Sequence, residues 1–227
     1  MNLIKATGDT LDSSLSIETQ TTYPVMEAFY TLQGEGGHSG KAAYFIRLGG
    51  CDVGCVWCDV KDSWDAGRHP VKTVNEIISG IYKELSIAKP GNSTKPIIVI
   101  TGGEPLMHDL TALTEALRKE GFIINIETSG SSALSGHLDW ICLSPKKFKA
   151  PLPEVLPKAH ELKIVVFNKS DFAWAEQYAA LVNADCKLFL QPEWDKREQM
   201  TPVIVNYIKA NPQWQLSLQT HKYVGVP

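Results

Sequence analysis

Hydrophobic residues in this chain follow two alternating patterns along most of its length. Short, nearly uninterrupted apolar runs are typical of strands buried on both faces of a parallel sheet. Between these runs, apolar residues recur every three to four positions, which predicts amphipathic helices. The pattern predicts strands over residues 25–30, 43–48, 97–100, 122–126, 140–143, 162–166, 188–190 and 216–218.

The same pattern predicts four helices between these strands. The first spans residues 73–85 and opens with a capping box formed by Thr73 and Glu76. Thr201 is predicted to cap the last helix, with Pro202 at its first position, where a missing amide costs nothing. Two further helices are predicted over residues 110–119 and 170–181.

Strands that alternate with helices predict an α/β fold with mostly parallel strands. There are too few strand–helix units for a complete eight-fold barrel, so we expect a partial, open (β/α) barrel. Residues 1–23 are polar and rich in Ser and Thr, and we interpret them as an N-terminal extension. Residues 24–227 contain no repeat and no linker, which predicts a single domain.

Composition and charge exclude several classes of function. The formal net charge is −3, whereas a nucleic-acid or membrane surface would need a basic excess. The sequence has no apolar run of membrane-spanning length and no secretory signal pattern. We therefore expect a cytoplasmic protein, in a compartment where reduced thiols can hold iron.

Three cysteines, Cys51, Cys55 and Cys58, lie in a short segment directly after the second predicted strand. A structural zinc site takes four protein ligands, and so does an electron-transfer cluster. Three thiolates on a 4Fe-4S cluster would leave one iron open to a small molecule. The spacing alone leaves both possibilities open, an open cluster or zinc with a distant fourth ligand. Cys142 and Cys186 lie in apolar runs and are predicted to be buried hydrophobes.

Polar segments follow five of the predicted strands, at the edge where parallel α/β folds place active sites. These segments are residues 101–105, 127–130, 144–146, 191–193 and 219–222. A glycine-rich loop at residues 32–37 contains Gln33 and Glu35, which are unusual choices for a plain turn and favour a contact with a polar ligand. Arg47 is the one charge in an apolar strand, and its guanidinium can pair with a ligand carboxylate.

These motifs resemble a known superfamily. The cysteine triplet followed by Gly102-Gly103-Glu104-Pro105 is similar to the radical S-adenosylmethionine (SAM) superfamily. The likeness runs from about Val25 to the last residue. Further segments resemble one member, the 7-carboxy-7-deazaguanine synthase family: the loop at 32–36, Arg47, residues 58–59, 127–128, 144–146 and 191–192, and the tail 219–222 with the terminal Pro227.

The resemblance implies a fold of the radical SAM type, with a 4Fe-4S cluster on Cys51, Cys55 and Cys58 and SAM on the open iron. It also implies two sets of contacts. The SAM contacts are Trp57, Cys58, Asp59, Gly103, Glu104, Ser144, Pro145, Lys146, Gln191, Pro192, Glu193 and Trp194. The substrate contacts are Leu32, Gln33, Gly34, Glu35, Arg47, Thr101, Glu127 and Pro227.

The implied reaction belongs to queuosine and deazapurine biosynthesis, a pathway of tRNA modification. A 5′-deoxyadenosyl radical takes a hydrogen from 6-carboxy-5,6,7,8-tetrahydropterin, and the ring contracts with loss of ammonia to 7-carboxy-7-deazaguanine. Such an enzyme is a carbon–nitrogen lyase. The expected partners are the small pterin, a reducing protein such as flavodoxin or ferredoxin, and a second copy in a homodimer, with no direct contact to nucleic acid or membrane.

One position departs from the family pattern. The second residue after the last cysteine is commonly Thr or Ser in the family, and its hydroxyl binds a magnesium ion. Here Val60 has no lone pair for a hard cation, so we expect a weaker dependence on magnesium. The ammonium group of Lys61 can replace the charge of the ion, and Asp59 or Asp62 can still hold a metal.

Two other functions fit the cysteine triplet. One is a different radical SAM enzyme, above all an activase of glycyl-radical enzymes, which shares the spacing and acts on a protein. The other is a zinc- or Fe-S-binding module with no chemistry of its own.

Overall fold

The computed structural model describes residues 21–56, 58, 60–88 and 95–227, and it builds them around a nine-stranded sheet. The strands are β1 (Thr22–Leu32), β2 (Ala42–Leu48), β3 (Val71–Thr73), β4 (Ile97–Gly102), β5 (Ile124–Thr128), β6 (Trp140–Leu143), β7 (Glu161–Val166), β8 (Lys187–Pro192) and β9 (Trp214–Leu216). The helices are α1 (Val74–Ala88), α2 (Thr111–Lys119), α3 (Ser170–Ala179), α4 (Arg197–Ala210) and α5 (Thr220–Val224).

The strand order is β3-β1-β2-β4-β5-β6-β7-β8-β9. Strand β1 is antiparallel to both of its neighbours, and every later neighbouring pair from β2 to β9 is parallel. The prediction of an α/β partial, open barrel is therefore confirmed. Because seven neighbouring strands run the same way, their carboxyl ends meet along one edge.

Two groups of buried side chains fill the space between the sheet and its helices. The first packs α1 and α2 against β2, β4 and β5, and the second packs α3 and α4 against β7 and β8. Helix α1 opens with the predicted capping box, because the amide and hydroxyl of Thr73 both donate to Glu76, at 2.7 and 2.8 Å. Its buried face is Val74, Ile77, Ile81 and Leu85. Among the described residues, none of the helices has the length and apolar character needed to cross a membrane.

Helix α4 begins four residues before its predicted cap, and that prediction is wrong. Pro202 lies inside the helix instead of at its first position. The preceding 3-10 turn, Trp194–Lys196, is capped by Glu193, whose carboxylate accepts a hydrogen bond from the Lys196 amide at 3.1 Å. This turn leads directly into α4, so the effective start signal is Glu193. The missing amide of Pro202 removes one bond near the start of α4 without ending it.

The ends of the chain also differ from the predicted pattern. Strand β9 lies two residues earlier than expected, because Trp214 is buried and donates its indole N–H to Glu176 at 2.7 Å. Strand β1 begins at Thr22, inside the segment predicted as an extension. Tyr23 explains this difference, because its ring is buried and its hydroxyl donates to the Asp109 carbonyl at 2.7 Å. The rest of the predicted extension, residues 1–20, lies outside the described residues.

Candidate active site

A cavity of about 270 Å³ lies at the carboxyl ends of the parallel strands. It brings together most of the residues singled out in the sequence, although they are spread over almost the whole chain. Those lining it are Leu32, Gln33, Glu35, Arg47, Cys51, Cys55, Cys58, Val60, Thr101, Gly103, Glu104, Glu127, Ser144, Lys146, Gln191, Pro192, Glu193, Trp194 and Pro227.

Four of the predicted site residues are not among those lining this cavity. Gly34 lies directly behind it, because a Cβ atom there would come within 2.0 Å of the His221 ring. Pro145 lines a second, smaller cavity of about 100 Å³. Trp57 and Asp59 lie outside the described residues.

The cysteine segment is folded back on itself by backbone hydrogen bonds. The amides of Gly50 and Cys51 donate to the carbonyls of Ser63 and Trp64, at 2.7 and 3.1 Å. The Cys58 amide donates to the Cys55 carbonyl at 3.1 Å. As a result, the three thiols line the same cavity, and none of them forms a disulfide.

The Gly-Gly pair after β4 allows two backbone segments to touch. Gly102 has a φ of 146°, and a Cβ atom there would lie 2.1 Å from the Leu48 carbonyl oxygen. A Cβ atom on Gly103 would lie 2.2 Å from the Gly50 carbonyl oxygen. The amides of Gly103 and Glu104 donate to the same two carbonyls, at 3.0 and 2.8 Å. Glycine is required here because the loop after β4 rests on the start of the cysteine segment.

The Glu104 carboxylate is buried and fully engaged by the chain itself. It accepts hydrogen bonds from the Leu106 amide at 3.1 Å, from the Thr128 hydroxyl, and from both the amide and the hydroxyl of Ser129. Four donors fill the acceptor capacity of one carboxylate. Glu104 therefore joins the loop after β4 to the loop after β5.

A second group of cavity residues, remote from the cysteines in the sequence, forms a polar network. The Gln33 amide donates to Glu127 at 3.0 Å, and Gln219 donates to Glu35 at 2.9 Å. The Lys163 ammonium contacts Glu35 and lies 3.6 Å from Glu127. Burial would raise the pKa of Glu35, but Lys163 and the amide donors lower it to about 2. The carboxylate is therefore ionised throughout the physiological range.

Residues 45–145 match the sequence model of the radical SAM superfamily. A 7-carboxy-7-deazaguanine synthase of Flavobacterium psychrophilum is 51% identical over 218 residues, which is 96% of this chain and 99% of that protein. A synthase of the same name from Synechocystis is 47% identical over 90% of this chain and 94% of its own length. The chain belongs to the 7-carboxy-7-deazaguanine synthase family. The crystal structure of QueE from Escherichia coli has a TM-score of 0.77 and 31% identity, covering 92% of this chain and 98% of that one.

The resemblance drawn from the motifs is thus confirmed, and the donor set can be compared with the family's 4Fe-4S cluster. Among the described residues, no group of three or more His, Cys, Asp or Glu side chains converges on a position for a single metal ion. A cubic cluster instead offers each thiolate a separate iron. The three thiols on one cavity wall fit that arrangement better than a closed mononuclear zinc site.

Charge near the thiols is balanced by a lysine of the synthase family's Ser-Pro-Lys segment. Burial raises the pKa of Cys51 and Cys55, and Lys146 opposes that shift at Cys55. Lys146 donates to the Ser144 hydroxyl at 2.7 Å, and burial lowers its own pKa. The thiols therefore release their protons when metal binds, which couples cluster assembly to pH.

The C-terminal tail of this synthase-family chain forms one wall of the cavity. Helix α5 is anchored by Thr220, whose amide and hydroxyl both donate to the Gly34 carbonyl at 2.9 Å. The Trp194 ring packs against the Tyr223 ring, with centroids 5.5 Å apart. The Lys222 ammonium lies over the Trp194 ring, 4.8 Å from its centroid. The Thr31 hydroxyl donates to the terminal Pro227 at 3.1 Å. The tail thus contacts both the segment at the end of β1 and the segment after β8.

Several lining residues were not identified from the sequence. The rings of Phe29 and Phe45 stack with centroids 5.5 Å apart and an interplanar angle of 8°, and form a flat apolar wall. Lys163 was not identified either, although its signal resembles that of Arg47, a lone cation in an apolar strand. Lys61 is exposed at the start of a 3-10 turn and is not among the residues lining the cavity.

Proposed function

We propose that this chain catalyses the radical SAM ring contraction of 6-carboxy-5,6,7,8-tetrahydropterin to 7-carboxy-7-deazaguanine, with loss of ammonia. One observation carries the proposal: the three cysteines, Gly102 to Glu104 and the side chains of Gln33 and Glu35 line a single cavity in a chain of this synthase family. When bound, the reduced cluster supplies the electron that cleaves SAM and so provides the radical that starts the reaction.

At the cofactor end, Cys51, Cys55 and Cys58 hold the cluster. Gly103 and Lys146 lie beside them and bind the amino-acid part of SAM. Trp57 and Asp59, Ser144 and Pro145, and the segment Gln191–Trp194 complete the SAM site. Glu104 acts indirectly, because its carboxylate holds the loop that carries Gly103.

At the substrate end, Arg47 binds the pterin carboxylate. Its Nε atom donates to Glu27 at 2.6 Å, which fixes the guanidinium while the terminal nitrogens keep their donors for a ligand. Gln33, Glu35 and Glu127 bind the donor-rich edge of the pterin, and the Phe29 and Phe45 rings pack against it. Leu32, Gly34, Thr101 and Pro227 complete this end.

Residues 24–227 act as one catalytic domain, in the cytoplasm, as a homodimer. All five cysteines are free, which suits a reducing compartment. The homodimer rests on analogy with the family. The partners are the pterin and a small reducing protein of the flavodoxin or ferredoxin class.

The proposal is tested by an anaerobic assay of the reconstituted protein with SAM, a reductant and 6-carboxytetrahydropterin. We expect brown protein, 5′-deoxyadenosine and 7-carboxy-7-deazaguanine in the product mixture. SAM cleavage without pterin turnover would indicate another radical SAM enzyme, such as an activase. Colourless protein with one zinc would indicate a binding module.

Magnesium is expected to matter less here than in relatives that carry Thr in place of Val60. Val60 lines the cavity but offers a hard cation no oxygen. Removing magnesium from the reconstituted enzyme should lower kcat/KM less than about threefold, whereas Val60→Thr should acquire a stimulation of about tenfold or more. A steep loss on chelation that only magnesium restores would contradict this expectation in the wild-type protein.

A peptide tag fused after Pro227 should weaken substrate binding more than cluster assembly. Fusion converts the terminal carboxylate into an amide at a residue that lines the cavity and accepts a bond from Thr31. We expect KM for the pterin to rise about tenfold or more, since a charged hydrogen-bond partner is lost, while iron content stays unchanged. The same tag at Met1 is the control. Full activity of the C-terminally tagged form would remove this role from Pro227.

A further inference from the structure

Lys163 lies in the middle of β7 and is only 3% exposed. Its strand neighbours Leu162 and Ile164 point into the hydrophobic core, whereas Lys163 lines the cavity. Lysine is almost never buried without a partner, because removing its charge from water is costly. The contacts that compensate this burial therefore indicate what the residue does.

The partners of Lys163 are two carboxylates from different parts of the fold. Its ammonium group contacts Glu35, in the loop after β1, and lies 3.6 Å from Glu127 at the end of β5. Side-chain amides also donate to these carboxylates, from Gln219 and Gln191 at Glu35 and from Gln33 at the second oxygen of Glu127. Each carboxylate oxygen can accept two hydrogen bonds, so both groups keep acceptor capacity toward the cavity.

We propose that Lys163 is a positioning residue that determines specificity: it holds Glu35 and Glu127 as a fixed pair of ionised acceptors, so that the cavity selects a ligand edge made of adjacent N–H donors. In the pterin this edge is the amino-pyrimidinone side. The inference deepens the proposed function and rests on it. Lys163 acts through the two glutamates and does not itself bind the substrate.

The physical reason is the behaviour of two carboxylates that share a buried site. Without a cation between them, burial and mutual repulsion favour protonation of one, which then donates a hydrogen bond instead of accepting one. Burial alone would lower the pKa of Lys163, but Cys142, Glu127 and Glu35 hold it well above its ordinary value. The lysine therefore remains charged wherever the enzyme works.

Other charged or titratable groups also face this pair. Cys142 on β6 and Lys146, which follows β6, both interact with Lys163. Glu161 lies on β7 with Lys163 and interacts with Cys142. His221 on α5 interacts with Glu35, Glu127 and Lys163, and burial lowers its pKa. Lys146 and His221 are farther members of the set, whereas Lys163 makes the ion pair with Glu35. Its removal should therefore have the largest effect on protonation of the glutamates.

The test is the pH dependence of 6-carboxytetrahydropterin binding and KM in Lys163→Met, measured on reconstituted enzyme with SAM. In the wild type Lys163 keeps its ion pair with Glu35, so we expect affinity to change little with pH apart from the titration of the ligand. In the variant we expect a loss of about 100-fold near neutral pH, which recovers as rising pH ionises the pair. Uncoupled SAM cleavage should change less than about threefold, since the cluster end is intact.

Lys187→Met is the matched control. Lys187 is an exposed lysine at the start of β8, and its ammonium group lies over the Trp140 ring, 5.4 Å from its centroid. This variant should bind the pterin like the wild type at every pH. The single variant leaves two carboxylates without a cation, which could prevent folding. The double variant Lys163→Met/Glu35→Gln removes the cation together with one carboxylate and so avoids this repulsion. It should bind the pterin at least about tenfold more weakly than the wild type, without the recovery at high pH.

The outcomes separate the two proposals. Wild-type turnover together with wild-type affinity in Lys163→Met, or a loss that is the same at all pH values, overturns the role of Lys163 and leaves the proposed function intact. Wild-type affinity in the double variant overturns it as well. A wild-type enzyme that cleaves SAM but neither binds nor converts the pterin overturns the proposed function, and this inference with it.

Discussion

Serine in place of Cys55 is expected to abolish SAM cleavage, with a loss of at least about 10³-fold, because a serine hydroxyl does not replace a thiolate on iron. Cys55 lines the cavity together with Cys51 and Cys58, so each of the three positions should give the same result. Iron content and visible absorbance after anaerobic reconstitution measure the cluster, and release of 5′-deoxyadenosine measures the chemistry.

Cys186→Ala is the control for this experiment. Cys186 is buried in the second core group, and burial raises the pKa of its thiol to about 12, so it remains a protonated hydrophobe. The control should keep its iron and its activity, with only a modest loss of stability. A Cys55→Ser protein that still cleaved SAM, or a Cys186→Ala protein that lost its iron, would contradict the assignment of the cluster ligands.

Alanine in place of Gly103 should lower the rate of SAM cleavage by about 100-fold or more, since small displacements of a reacting group are costly. A Cβ atom at this position would lie 2.2 Å from the Gly50 carbonyl oxygen and 2.7 Å from Cys51 Cβ. The loop after β4 and the cysteine segment must then move apart. The measurement is single-turnover cleavage of SAM at matched iron content, with SAM affinity determined in parallel.

Gly80→Ala is the matched control for this substitution. Gly80 lies within α1, where the nearest atom to an added Cβ would be the Tyr44 hydroxyl at an ordinary 3.7 Å. Alanine is favoured over glycine inside a helix by about 0.8–1.0 kcal/mol, so this variant should be slightly more stable and fully active. Equal rates of SAM cleavage in the Gly103 and Gly80 variants would contradict the proposed contact between the two loops.

The cluster end of the site could be predicted because its signals are local. Cys51, Cys55 and Cys58 lie within one short segment, and Gly102 to Pro105 form another. Residue spacing within these two segments is enough to carry the resemblance to the radical SAM superfamily, whatever the rest of the fold does. The same holds for Arg47, whose charge stands out in an apolar strand.

The substrate end could be predicted only in part. Gln33, Glu35 and Glu127 were identified, but Lys163, which joins them, is more than a hundred residues from Glu35 in the sequence. Phe29 and Phe45 looked like ordinary strand residues, and their stacking depends on the antiparallel register of β1 and β2. The contacts of Glu104 with Thr128 and Ser129 could not be predicted either, because they join the loop after β4 to the loop after β5.

Reading residues in order was enough to establish the family and the α/β architecture, because strand periodicity and motif spacing are properties of neighbouring residues. Folding in three dimensions settled which buried charges face one another, where α4 begins, and that α5 packs against Trp194. These features depend on the strand order, which brings distant segments into contact. The residues next to a lysine in the sequence do not determine whether its buried side chain will contact a carboxylate or a hydrophobic core.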